Sequence, residues 1–160
     1  LRKLNGAIEH IYLECRQQLF TCSLAITRCR ARAEDSIQEA FQKLFGLKSK
    51  PRHLKAYVFR AVRNAAIDQV RRNPPPTEEV TEFIFDAKPV PRDVVAHNEL
   101  KERVTKALLS LSEDERETIV QHIYGDLRFR EIARVRQAPL GTVAAWYRRG
   151  LKKLRSLLKE

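Results

Sequence analysis

Arg60, Arg63, Asn64, Ile67, Asp68 and Arg71 stand at helical offsets 0, 3, 4, 7, 8 and 11, which sets them on one face. Guanidinium groups so arranged can pair with phosphates, and a carboxamide offers a base edge both a donor and an acceptor. Lys48, Lys50 and Arg52 add a basic loop just upstream. Tyr57 and Phe59 supply rings on which unpaired bases stack, although Phe59 fits a core position equally well. Asp68 is placed to brace Arg71 or Arg72 from within the same helix. This is the chemistry of holding nucleic acid, not of making or breaking bonds. By charge alone, an ordinary solvated face would look the same.

A second set has the opposite sign. Glu34, Asp35, Gln38, Glu39 and Gln42 form a narrow stripe of carboxylates and amides. Such a stripe repels DNA, so a basic or polar protein surface is its natural partner. A third set lies near the C-terminus. There Val143, Tyr147, Leu151 and Leu154 point inward, leaving Thr142, Ala144, Ala145, Arg148, Arg149 and Lys152 outward. Small residues at the start of that helix allow close approach to a major groove, and the later cations meet phosphates. Trp146 sits at the boundary of the two faces, and a core position is expected for it.

Other chemistries find no constellation. His10, His53, His97 and His122 are scattered, and no zinc spacing, nucleotide-binding loop or nucleophile set is present, so no metal, cofactor or enzymatic activity is expected. Cys15, Cys22 and Cys29 recur every seven residues. On one helix, neighbours in that series stand about 10 Å apart along the axis, too far for a disulfide. With Ile8, Leu19 and Ile26 they read as small core thiols of a cytoplasmic protein. No apolar run reaches a membrane span, and none reads as a signal peptide.

The elements that must position these groups are helical nearly throughout. The first helix is expected over 5–29. The second, over 33–45, places Ile37, Ala40, Phe41, Leu44 and Phe45 on one side and stops at Gly46. The third, over 56–72, buries Val58, Ala61, Val62 and Ala65, with Leu54 just ahead of it. Three such helices can close a small bundle. Asn73-Pro74-Pro75-Pro76 then ends the helical pattern and opens an acidic stretch with further prolines. Residues 73–93 therefore read as a flexible linker of at most about 75 Å. Phe83, Ile84 and Phe85 within it could dock on a neighbouring surface. Beyond the linker, Leu100, Val104, Ala107, Leu108 and Leu111 mark one helix. Ser112 with Glu115 fits a capping box before Ile119, Val120 and Ile123. A short helix over 129–135, a tight turn over 136–139 and a longer basic helix over 141–158 make a helix-turn-helix pattern.

Charge follows the same division. The 160 residues carry a formal net charge of +11 and 43% apolar residues, enough for a core and favouring a polyanionic partner. Residues 1–72 hold 15 Lys/Arg against 6 Asp/Glu, residues 73–98 hold 2 against 5, and residues 99–160 hold 14 against 9. Two basic blocks flank an acidic segment. The expected fold is all-α: two small helical domains, 1–72 and 94–160, on a linker over 73–93.

Taken in order, these segments resemble an extracytoplasmic-function (group IV) sigma factor of the sigma-70 family, the promoter-specificity subunit of bacterial RNA polymerase. AEDSIQEAF with RAVRNAAIDQVRR is similar to sigma region 2. LSLSEDERETIV, FREIA and GTVAAWYRRGLKKLR are similar to region 4. The TRCRARAED run resembles the iron-starvation branch of the group. The resemblance implies that Asp35, Gln38 and Glu39, within the stripe Glu34 to Gln42, dock on the clamp coiled coil of core polymerase. It implies that the loop Lys48 to His53 and the helix carrying Arg60, Arg63 and Asn64 capture and help melt the minus-ten element. It gives the helix near Thr142, together with Arg128, to duplex minus-thirty-five DNA, and it adds the polymerase flap and an anti-sigma factor as partners. Several positions depart from the family pattern. Arg128 stands where a Ser or Thr cap is usual, Arg136-Gln137 where Leu-Gly is usual, and Pro139 where a Ser cap is common. Ala144 and Trp146 replace typical basic residues, and Arg136 is expected at a normally apolar spot. A helix-turn-helix regulator acting without core polymerase is the alternative, and it leaves the acidic stripe unused.

Overall fold

The computed structural model describes residues 2–74 and 94–159. Most of the expected linker, with Phe83 to Phe85, lies outside them.

Helix α1 spans Arg2–Thr27, α2 Arg30–Leu44 and α3 Leu54–Arg72. The α1–α2 corner is made by Arg28, which takes the left-handed region at φ 55. The Thr27 hydroxyl donates to the Cys29 carbonyl at 3.1 Å, tightening the corner. Cys29 is therefore the residue before α2 and not part of the α1 stripe, and all three cysteines are half-buried as residues. Ile8 and Leu19 are fully buried on α1. Ile37, Ala40, Phe41 and Leu44 face them from α2, while Leu54, Val58, Phe59 and Val62 complete the core from α3. Phe59 thus takes the core option, and Tyr57 stays exposed. Phe45 departs from its expected inward place and is 44% exposed. The helix has ended by then, and Phe45 is its capping residue with Gly46 in the turn.

In the C-terminal half, α4 spans Val94–Leu109, α5 Glu113–Ile119, α6 Phe129–Arg136 and α7 Leu140–Leu158. The capping box at the start of α5 is made: Glu115 N–H donates to Ser112 Oγ and Ser112 N–H to Glu115 Oε1, both at 3.2 Å. Directly after α5, Val120–Tyr124 form a π-helical turn, closed by Gly125 N–H donating to the Val120 carbonyl at 2.9 Å. The extra residue in that turn rotates the register. Ile119 and Val120 stay buried, but Ile123 swings out to 49% exposure, against the inward position expected of it. A Cβ on Gly125 would stand 2.5 Å from the Gln121 carbonyl oxygen, so the turn tolerates only glycine there.

The two halves pack together. Leu127, Ile132, Val135 and Val143 from the C-terminal half join the core of α1–α3. In return, Ala25 of α1 sits in the second core with Leu108, Ile119, Val120 and Leu154. Cys22 borders both cores and lies where a Cβ on Gly125 would come within 3.1 Å of its sulfur. Across this seam the Arg116 guanidinium donates to the Ala25 carbonyl at 3.2 Å.

Candidate nucleic-acid and protein-docking faces

Helices α2 and α3 enclose a cleft of about 260 Å³. Tyr57, Arg60 and Asn64 line it, over a floor of Ala40, Ala61 and Ala65. Small floor residues let the polar groups flank a flat guest. Lys43 and Asp68 complete the rim. Lys43 went unpredicted, and its one signal was a lysine in the last turn of α2 beside the basic loop. Lys48, Lys50, Arg52 and Arg71 are exposed, and Ile67 is half-buried.

Arg63 is elsewhere. Its Nε donates to Glu117 Oε2 of α5 at 2.8 Å, and its side chain is only 21% exposed. The brace assigned to Asp68 is also corrected. Arg72 uses only the Asp68 backbone carbonyl, at 3.4 Å, and turns its guanidinium to the Glu39 carboxylate at 3.3 Å. Glu39 is therefore engaged within the fold, while Glu34, Asp35, Gln38 and Gln42 are exposed. Glu34 and Gln38 form one wall of a broad groove whose other wall is α1, with Tyr12, Leu13, Gln17 and Phe20. Leu13 is 65% exposed in that groove, an apolar contact the acidic stripe by itself did not reveal.

The helix-turn-helix is α6, the turn and α7. Arg128 precedes α6 with an exposed side chain and gives it no side-chain cap. Glu131 compensates by accepting from the Arg128 N–H at 2.9 Å. Gln137 closes α6 in the left-handed conformation at φ 52, a place that costs a non-glycine residue about 1–2 kcal/mol. The α7 N-terminus follows Pro139, with the Thr142 N–H donating to the Pro139 carbonyl at 3.0 Å. Arg148, Arg149 and Lys152 are exposed on α7, whereas Thr142, Ala144 and Ala145 are half-buried. Val143 and Leu154 are buried as expected. On α5, burial works against the Glu115 carboxylate. The Lys153 ammonium, 2.9 Å away, and the Ser112 hydrogen bonds outweigh that, and its pKa falls below the ordinary range.

Arg136 occupies the buried spot expected of it, with its side chain 3% exposed. Its Nε lies 3.0 Å from Glu117 Oε2, off the line of a hydrogen bond, and a terminal nitrogen reaches Asp114. The Trp146 ring lies beneath it, 4.6 Å from guanidinium carbon to ring centre. Burial pulls the Arg136 pKa down, Glu117 and Asp114 oppose that, and the nearby Arg63 adds to it. Trp146 is thus partly buried against the core, in keeping with the core position expected for it.

Comparison with known proteins now decides the family. The sigma-70 region 2 model matches residues 11–74, and the sigma-70 region 4 model matches residues 101–154. The chain belongs to the sigma-70 family. Among its relatives, this sigma factor is 29% identical over 123 residues to the ECF RNA polymerase sigma factor RpoE of Cereibacter sphaeroides, covering 77% of this chain and 68% of that one. It is also 29% identical over 142 residues to the ECF RNA polymerase sigma factor SigW of Bacillus subtilis, covering 80% and 76%. Both belong to the extracytoplasmic-function group. The fold matches that of the sigma factor RpoE from Bartonella quintana, co-crystallised with the anti-sigma factor NepR. The TM-score is 0.72 over 94% of this chain and 96% of that one, at 22% identity. In this sigma factor, region 2 carries the α2–α3 cleft and region 4 carries the helix-turn-helix. Among the described residues no helix is long and apolar enough to cross a membrane.

Proposed function

We propose that this sigma factor binds core RNA polymerase in the cytoplasm and directs it to promoters. Residues 1–72 serve the polymerase clamp and the minus-ten element, 73–93 are the linker, and 94–160 serve the minus-thirty-five element. The exposed stripe Glu34, Asp35, Gln38 and Gln42 docks on the clamp, with Leu13 and Phe20 of the adjoining groove taking its apolar part. Glu39 contributes through the position that Arg72 fixes for it. The cleft of Tyr57, Arg60 and Asn64 receives an unpaired base of the minus-ten element, and Lys48, Lys50, Arg52 and Arg71 hold the phosphates on either side. In region 4, Arg148, Arg149 and Lys152, with Arg128, hold the minus-thirty-five backbone, while Thr142, Ala144 and Ala145 approach base edges. The flap of the polymerase and an anti-sigma factor are further partners. RNA synthesis itself belongs to the core enzyme.

The observation that carries this reading is the ordered pair of region 2 and region 4 matches, with an aromatic, arginine and amide cleft inside the first. Purified core polymerase, the protein and a library of promoter fragments test it. Sequence-specific transcripts that depend on the added protein are expected. Absence of both core binding and transcript would sink the reading.

A further inference from the structure

Arg136 is a buried cation, with its side chain 3% exposed. It ends α6, yet its partners lie on the two neighbouring helices. From α5, Asp114 accepts from one terminal nitrogen, Thr118 Oγ1 accepts from the other at 3.3 Å, and Glu117 Oε2 lies 3.0 Å from Nε. From α7, the Trp146 ring lies under the guanidinium, 4.6 Å from carbon to ring centre. One planar group thus ties α5, α6 and α7 together. A buried ion network adds little stability over apolar side chains of the same size. What it adds is direction. A guanidinium has donors in fixed places and a flat face, whereas apolar contacts have no preferred angle.

That direction matters at one end of α7, which is anchored in two places. In its C-terminal half, a Cβ on Gly150 would come within 2.6 Å of Ile119 Cδ1, and Lys153 donates to both Glu115 oxygens at 2.9 and 3.0 Å. Nearer its N-terminus, Val143 is fully buried in the core that holds Ile132 and Val135 of α6, and Trp146 meets Arg136. Of these two side-chain contacts at the N-terminal end, only that with Arg136 fixes an angle. Thr142 stands eight positions from Gly150. That is about 12 Å along the axis, so a tilt of about 10° at the Gly150 anchor shifts Thr142 by about 2 Å. Contacts to base edges do not survive such a shift. We propose that Arg136 is a positioning residue for minus-thirty-five recognition: it touches no DNA and, through Trp146, aims the end of α7 that carries Thr142, Ala144 and Ala145. The proposal rests on the minus-thirty-five role given to α7 above.

Arg136 lies too deep to reach a duplex held by the exposed Arg148, Arg149 and Lys152. Any effect it has on sequence preference therefore passes through the protein. Lysine in its place separates direction from charge. The ammonium still compensates Asp114 and Glu117, but it is a point charge and cannot lie flat on the ring while reaching both.

The test uses holoenzyme assembled from core polymerase and the full chain. It transcribes a promoter library with a constant minus-ten element and a randomised minus-thirty-five element. The readouts are the transcript ratio between the best and the scrambled minus-thirty-five sequences and the melting temperature of the free chain. Arg136→Lys is expected to lower the ratio about tenfold, the discrimination that one base contact supplies. Its melting temperature should stay within about 5 °C of the parent's. Minus-ten preference, read from a second library, should not move. Trp146→Leu should lower the ratio by a similar factor, and the two substitutions together no further than either alone, because they break one contact. An unchanged ratio in Arg136→Lys, losses that multiply in the double variant, or a parallel loss of minus-ten preference overturns the proposal. If circular dichroism shows that Arg136→Lys loses helix, Arg136→Leu combined with Glu117→Leu serves in its place, since it leaves no buried charge alone. A similar loss is expected there, and a retained ratio overturns the proposal. A parent without any minus-thirty-five preference removes the role of α7 itself. A parent preference that Arg136→Lys retains removes only the positioning role of Arg136.

Discussion

Asn64 is the residue on which the proposed base-reading role turns. It is exposed on the cleft rim, and no hydrogen bond within the described residues accounts for its amide. Asn64→Ala should change the preferred minus-ten sequence while core binding stays within about twofold, because the docking stripe is on another helix. In vitro transcription from a randomised minus-ten library reads this directly, and an unchanged preference would reduce Asn64 to a solvated side chain. Asp35 is the corresponding residue for the proposed docking. It is exposed, whereas Glu39 is already paired with Arg72. Asp35→Arg should weaken core binding about tenfold or more, since reversing a charge both removes an attraction and adds a repulsion. Glu39→Arg should do this too, but it also sets two cations against each other across α2 and α3. Its loss in thermal stability will exceed that of Asp35→Arg.

At the scale of elements, periodicity gave the positions of α2, α3 and α7 to within a few residues, because each buries a stripe with the helical repeat. It failed where the repeat itself changes. The π-helical turn after α5 displaced Ile123, and the left-handed Arg28 moved Cys29 off α1. Neither event has a signature in the spacing of apolar residues. Gly125 is the visible trace of the first, since only a residue without Cβ fits beside Gln121. Gly125→Ala should cost about 1–3 kcal/mol of stability by thermal or urea unfolding, as overpacking does. The capping box ahead of this turn adds a pH term. Glu115 titrates below its ordinary range in the folded chain. Its contribution is therefore present above the unfolded carboxylate value of about 4.3 and is lost as pH falls through the lower folded value. Unfolding curves of the parent and Glu115→Gln should differ at neutral pH and converge in acid.

At the scale of the whole molecule, each half of the candidate site was legible and the contact between the halves was not. Arg63 and Glu117 are 54 positions apart, and Arg116 and the Ala25 carbonyl are 91 apart. Helical spacing tells which face a residue is on, not which distant face it meets. Arg136 was the exception. Departure from the family pattern marked it, since a cation in an apolar place needs partners, and it has Glu117, Asp114 and Trp146. Because the α2 stripe lies outside the seam, Glu117→Gln should leave affinity for core polymerase within about threefold. Titration of labelled core polymerase with the two proteins decides this, and a large change would mean that the seam and the docking face are coupled.

Trp146 is the one tryptophan in the chain, and Arg136 lies over its ring. Every photon of indole emission from this protein therefore comes from a single ring, touching the cation that faces Glu117. Intrinsic fluorescence becomes a local gauge, free of added dye, of whether that cation is still in place.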